Sequence, residues 1–286
     1  MRPEWLRRLY RLVRPGARNS VAVALMLAQH DRWPRTLDRY DEGPVLVLSP
    51  HPDDEAIGCG GAVLLHRRDG AVVHVAQVSD GRHGDRRLHD PGLDPAARAA
   101  LQAELIATRR AEALRWGAEA GVAQVHFLDA VDGSIGPHAA PVRALADLLT
   151  TLRPRLVYLP FVTDLPEDHW QTSLLFEAAV RACGPALPPP VTRGYEVWTP
   201  LPANCVADIG AVAERKQALI GVYASQLRDV DYRPAVDGLN RYRSLMLAAT
   251  GEGHAEAFFE CSLRGWLELM ARMRAGRASP AAEGVA

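Results

Sequence analysis

The segment Ser49-Pro50-His51-Pro52-Asp53-Asp54-Glu55 places one imidazole and three carboxylates within five residues. Such crowding raises the energy of the charged forms unless a cation or solvent compensates it. His51 and Asp54 are three apart, so a turn entering a helix brings both to one centre, and an N/O ligand set of that kind suits zinc. Asp53 then lies beside the metal without necessarily binding it, where a carboxylate can take a proton from metal-bound water. The plainer alternative is a loop whose acids favour the positive end of the next helix. A second segment, Asp164-Leu165-Pro166-Glu167-Asp168-His169, has the same character. If both follow strands, His169 completes a three-ligand zinc site with an open position.

The elements that must position these residues are legible as apolar runs. Residues 45–48 form a short continuous apolar run, the mark of a buried parallel strand, and it ends at the first segment. Residues 156–159 form another, which ends at the second. In open α/β sheets ligands bind beyond the C-terminal ends of the strands. Further strands are expected at 72–78, 125–128 and 194–198, with helices at 62–68, 96–117, 142–152 and 172–183. From residue 212 the chain reads mostly helical. This alternation predicts an α/β three-layer sandwich around a Rossmann-like, mostly parallel sheet, with helical N- and C-terminal extensions. The expected boundaries are a basic helical extension over 1–43, a catalytic domain over 44–262, and a C-terminal helix with a disordered tail over 263–286.

The 286 residues carry a net charge of -1, which argues against bulk electrostatic binding to nucleic acid. Four cysteines stand far apart with no CxxC pair. Scattered reduced thiols fit a cytoplasmic location. Arginines at 2, 7, 8, 11, 14 and 18 precede an apolar run over 21–28 that is too short to span a bilayer. Residues 1–40 therefore offer a peripheral contact to a membrane or a partner. No GxGxxG follows the first strand, and an acidic loop repels phosphate, so a nucleotide-binding reading is weak.

Several other residues could serve the site. Asp80 to Asp85 follow the second strand, so Arg82 stands either in a substrate loop or in a connector. Arg109 could bind substrate, but pairing with Glu112 on its own helix is favoured. Asp132, before Gly133, could bind substrate or make an Asp-Gly turn. Tyr195 and Trp198 read as core or wall.

His51-Pro52-Asp53-Asp54-Glu55, Gly60-Gly61 and Asp168-His169 together resemble the PIG-L/LmbE-like zinc de-N-acetylases. Weaker matching pieces are Arg109 to Glu112, Asp132-Gly133, Tyr195 to Trp198, Tyr223 to Gln226 and Ala255 to Phe258, so the likeness spans about residues 44–262. The resemblance implies one zinc per chain on His51, Asp54 and His169, and Asp53 as general base acting on zinc-bound water. It also implies an N-acetylated amino sugar or glycoconjugate as substrate, with Arg109 and Asp132 contacting or supporting the sugar. One departure stands out. The family commonly reads His-Pro-Asp-His around its third ligand, and Pro166 stands here in place of the first His. That His helps stabilise the oxyanion or protonate the leaving group. Candidates to replace it are His254, Asp164 and Glu167. Rival readings are a relative acting on a thiol conjugate or a longer acyl amide, and a non-catalytic binding protein that kept the fold.

Overall fold

The computed structural model of the protein describes residues 33–247 and 253–277. Eight strands form one sheet: β1 (Arg35–Leu37), β2 (Val45–Ser49), β3 (Val73–Ser79), β4 (Gln124–Ala130), β5 (Leu156–Pro160), β6 (Val191–Tyr195), β7 (Cys205–Asp208) and β8 (Ala255–Ser262). Their order across the sheet is β1-β7-β8-β6-β5-β2-β3-β4, and β8 alone runs antiparallel to its neighbours. The helices are α1 (Asp54–Arg68), α2 (Pro95–Ala120), α3 (Ala139–Leu152), α4 (Glu167–Cys183), α5 (Ala213–Ile220), α6 (Ala224–Leu227), α7 (Arg233–Ser244) and α8 (Leu263–Arg277).

Side chains alternate across a strand, so β2 and β5 each feed two cores. Val45, Val47, Leu156 and Tyr158 pack on one face with α1, α2, α5 and α7. Leu46, Leu48, Val157 and Leu159 pack on the other with α3, α4 and α8. The expected three-layer α/β sandwich is therefore the observed one. The sheet grows from β2 through β3 to β4 on one side, then from β5 through β6 on the other. Adjacent β2 and β5 thus flank the point where strand order reverses, where the loops diverge and leave a crevice. The two segments rich in His and Asp are the loops that leave these two strands.

Four expectations need correction. Residues 35–37, assigned to a helical extension over 1–43, form an edge strand parallel to β7. Leu37 and Tyr40 belong to the core. Residues 1–32, including the arginine-rich segment, lie outside the described residues. The mostly helical reading beyond 212 missed β8, whose Ala and Glu residues favour helices locally; pairing with both β6 and β7 overrides that preference. β7 and β1 were too short to show periodicity. The strand expected at 194–198 runs instead over Val191–Tyr195, because the N–H groups of Val197, Trp198 and Thr199 turn onto the Asp164 carboxylate. The C-terminal helix agrees with expectation through residue 277, and the rest of the tail lies outside the described residues. Among the described residues no helix is long and apolar enough to cross a membrane.

Candidate metal and catalytic site

The β2 loop turns into α1 at Asp53, whose φ of 140° is a conformation that residues with a side chain rarely adopt. The turn is held locally. The Asp54 carboxylate accepts the His51 N–H at 2.9 Å, and Ser49 Oγ lies 2.6 Å from Glu55 Oε2. Tyr223 donates its hydroxyl to the other oxygen of Glu55. The helix then kinks at Cys59 and restarts, with the Glu256 carboxylate accepting the N–H groups of Gly61 and Ala62 at 2.7 and 2.8 Å. Two glycines are required by space. A Cβ on Gly58 would lie 2.2 Å from the Tyr195 ring, and one on Gly61 2.6 Å from Ile209.

His51 Nδ1, Asp54 Oδ2 and His169 Nε2 come together, with the imidazole nitrogens 3.1 and 3.2 Å from the carboxylate oxygen. Each ring spends its other nitrogen on a carboxylate. His169 Nδ1 lies 2.9 Å from Asp164 Oδ2, and His51 Nε2 lies 3.2 Å from Asp168 Oδ2 and 3.4 Å from Asp132 Oδ1. Such partners fix the tautomer that leaves the remaining nitrogen free to ligate. His169 Nε2 is fully buried and makes no hydrogen bond within the protein. A buried nitrogen left so is costly, and a cation at this point would satisfy it. The residues present therefore fit a zinc ion. His51, Asp132 and Asp168 also converge. Their carboxylates, however, already accept the N–H groups of His83 and Gly133, which suits holding His51 more than ligating.

The titration of the cluster says the same. Burial alone would lower the His51 pKa, yet its bonds to Asp132, Asp168 and Asp54 hold it well above its usual value. For His169, burial is likewise outweighed by Asp54 and Asp164, and its pKa is pushed up to about 9. Both shifts arise from the carboxylates gathered around the two rings, a field that equally favours a bound cation.

Asp53 stands beside this set, almost wholly buried. Its Oδ1 lies 3.3 Å from Arg109 Nη2, and its Oδ2 accepts the Tyr232 hydroxyl at 2.9 Å. Arg109 also donates to the carbonyls of Pro52 at 2.7 Å and Gly81 at 3.2 Å. Burial raises the Asp53 pKa, Arg109 opposes it, Asp54 adds to it, and the result is about 7.

Of the residues singled out in sequence, His51, Asp53, Asp54, Arg109, Asp132 and His169 converge, and Arg82, His254 and Glu167 do not. Arg82 folds back on Asp80, at 2.9 Å from Nε. His254 pairs with Asp237 at 2.8 Å, away from the cluster, and so does not replace the missing His. Glu167 is exposed and accepts from Gln171. Asp164 is spent on His169 and the turn at 197–199. Arg109 does not pair with Glu112, which instead binds the N–H and hydroxyl of Ser225. Trp198 lies beyond its strand with 59% of its surface exposed. Sequence reasoning missed Tyr232, which no motif marks.

Residues 46–180 match the family described as PIG-L, GlcNAc-PI de-N-acetylase. A 1D-myo-inositol 2-acetamido-2-deoxy-alpha-D-glucopyranoside deacetylase of Nocardia farcinica is 25% identical over 241 residues, covering 65% of this chain and 80% of that protein. The fold is similar to an N,N'-diacetylchitobiose deacetylase from Pyrococcus horikoshii, with a TM-score of 0.65, 22% identity, and coverage of 78% and 85% of the two chains. It is also similar to the 4-carboxy-2-hydroxymuconate hydratase of Pseudomonas putida, with a TM-score of 0.63, 23% identity, and coverage of 79% and 95%. The last shows that this fold alone does not fix a reaction. The matched residues, 46–180, hold both ligand-bearing loops, so the site described here lies within a PIG-L family match whose relatives are deacetylases of the LmbE/PIG-L type.

Proposed function

We propose that the protein is a zinc-dependent hydrolase that removes the acetyl group from an N-acetylated amino sugar. The observation that carries this reading is the pair of imidazoles converging on Asp54 Oδ2, each oriented by a second carboxylate, beside a buried Asp53 that is not part of the set. His51, Asp54 and His169 would hold the ion. When bound, zinc supplies Lewis acidity toward a carbonyl oxygen and a lower pKa for water.

The chain's own residues supply the proton traffic. Asp53 takes a proton from the attacking water as the water oxygen bonds to the acyl carbon. As the C–N bond breaks, the same carboxyl returns that proton to the departing nitrogen, giving acetate and a free amine. A carboxyl with a pKa near neutral suits both directions. Arg109 fixes one Asp53 oxygen and Tyr232 the other, so the base is oriented before substrate arrives. Asp132 and Asp168 hold the His51 ring, and Asp164 holds His169. The two deacetylases named above act on acetamido sugars, which is the basis for the substrate class.

The test is acetate release from an N-acetylglucosaminide, with zinc content measured on the same preparation. Loss on chelation and recovery with zinc are expected. A zinc-loaded, folded protein that releases no acetate from a panel of acetamido sugars would refute the proposal and favour the binding-protein or hydratase-like alternatives.

A further inference from the structure

A cavity of about 260 Å³ opens beside the base, and the reaction above makes no use of it. Ile57, on the turn after Asp53-Asp54, forms one wall. Val197, Trp198 and Pro200, after β6, form the second, and Val236 and Leu239 of α7 form the third. Tyr232 lines the cavity while its hydroxyl bonds Asp53 Oδ2, so one side chain joins the cavity wall to the base.

The polar groups on the wall are already engaged. Glu196 binds Arg243 and the Leu201 N–H. Asn240 binds Lys216 and the Ala255 carbonyl. Glu256 holds Gly61, Ala62 and Lys216. A sugar ring placed here would give up hydrogen bonds to water and find few in return. An alkyl or aryl group would instead gain about fourfold in affinity per buried methylene. The wall carries the same signal, since Trp198 on it is 59% exposed. The volume lies at the small end of ligand pockets, enough for a short chain or a ring and too small for a drug-sized molecule.

We propose that this cavity is a substrate subsite for an alkyl or aryl group carried by the amide substrate. The preferred substrate is then an amphipathic N-acyl amino sugar, with its polar ring outside the cavity and its apolar group within. This inference rests on the amide-hydrolase reading and narrows its substrate class. The apolar group can come from the acyl chain or from the aglycone, and the arms of the test separate them.

The full, zinc-loaded chain is assayed on methyl N-acetylglucosaminide, on its octyl glycoside below the micellar concentration, and on methyl N-hexanoylglucosaminide. Binding of each is measured by titration calorimetry. The expected result is a gain of at least ~10-fold in kcat/KM and in affinity for one of the two chain-bearing compounds. A gain for the octyl glycoside assigns the cavity to the aglycone, and a gain for the hexanoyl amide to the acyl chain. Ala235→Trp, at an exposed position on the cavity mouth, should erase the gain and leave the methyl N-acetyl substrate unaffected. Trp198→Ala should weaken the gain independently. Equal kcat/KM and affinity across the three compounds overturn the inference and leave the deacetylase reading standing. Tight, Ala235→Trp-sensitive octyl or hexanoyl binding without any hydrolysis supports the subsite and refutes the reaction.

Discussion

Both oxygens of the Asp53 carboxylate are held by the protein, one by Arg109 and one by Tyr232, while Asp53 itself is outside the ligand set. Asp53→Asn keeps the size and the hydrogen-bonding reach of the side chain and removes its capacity to carry a proton. Zinc should stay bound, and kcat should fall by ~10²–10⁴ with little change in KM. Zinc analysis and turnover on one preparation check this, and lost zinc would place Asp53 among the ligands. Asp164 poses a different case, because it touches His169 and never the reacting centre. Asp164→Ala should weaken zinc affinity by ~10–100-fold, measured by competition with a chromogenic chelator. An unchanged affinity would reduce Asp164 to a support for the turn at 197–199. His51, Asp53, Asp54 and His169 were legible in sequence because they lie on two short segments at strand ends. Tyr232 was not, since 179 residues separate it from the carboxylate it binds.

The weak motif pieces become intelligible as struts between elements. Tyr223 reaches Glu55, Ser225 reaches Glu112, Tyr195 donates to the Leu48 carbonyl, and Glu256 caps the restart of α1. Three of these fix α1 or β2, and so the loop between them, while the Ser225 strut ties α6 to α2. Local pattern could place β2 and β5, whose residues are buried on both faces, but not β8, whose fit depends on two partners distant in sequence. His66 links α1 to its surroundings in the same way, lying 2.6 Å from the Tyr40 carbonyl and 3.0 Å from the Tyr158 hydroxyl. Burial lowers its pKa to about 4, against a partly opposing bond to Tyr40. Folded His66 thus binds fewer protons than unfolded His66 between about pH 6.5 and pH 4, and its contribution to stability falls as pH falls through that window. That share should be about 2 kcal/mol between pH 7 and pH 5, while Asp53, whose pKa is raised to about 7, contributes in the opposite direction. Urea unfolding at both values, compared between the wild type and His66→Gln, should isolate the His66 share as a difference in slope. An equal slope in both proteins would contradict the assignment.

At the scale of the molecule, residues 35–40, expected within a helical extension, belong to the sheet and its core. Arg35 pairs with the Asn204 carbonyl and with Glu260, and Leu37 and Tyr40 are buried in the core on the α1 face. A protein starting at residue 33 keeps every described element. One starting at residue 43 loses β1 and two core side chains, at about 2–5 kcal/mol each by analogy with large-to-small core changes. Its melting temperature should drop by on the order of 10 °C relative to the first. Equal melting temperatures would show that the edge strand contributes nothing.

The backbone at Asp53, at φ 140°, has a consequence for how such a site endures. A side chain there costs on the order of 1–3 kcal/mol, and glycine would relieve that strain but leave the Arg109 and Tyr232 donors without their carboxylate, a cost of similar size. The two bonds that orient the carboxyl are thus also what lets a strained residue persist at 53. In a library screened only for survival of heating, glycine should accumulate at 53 only together with changes at Arg109 and Tyr232.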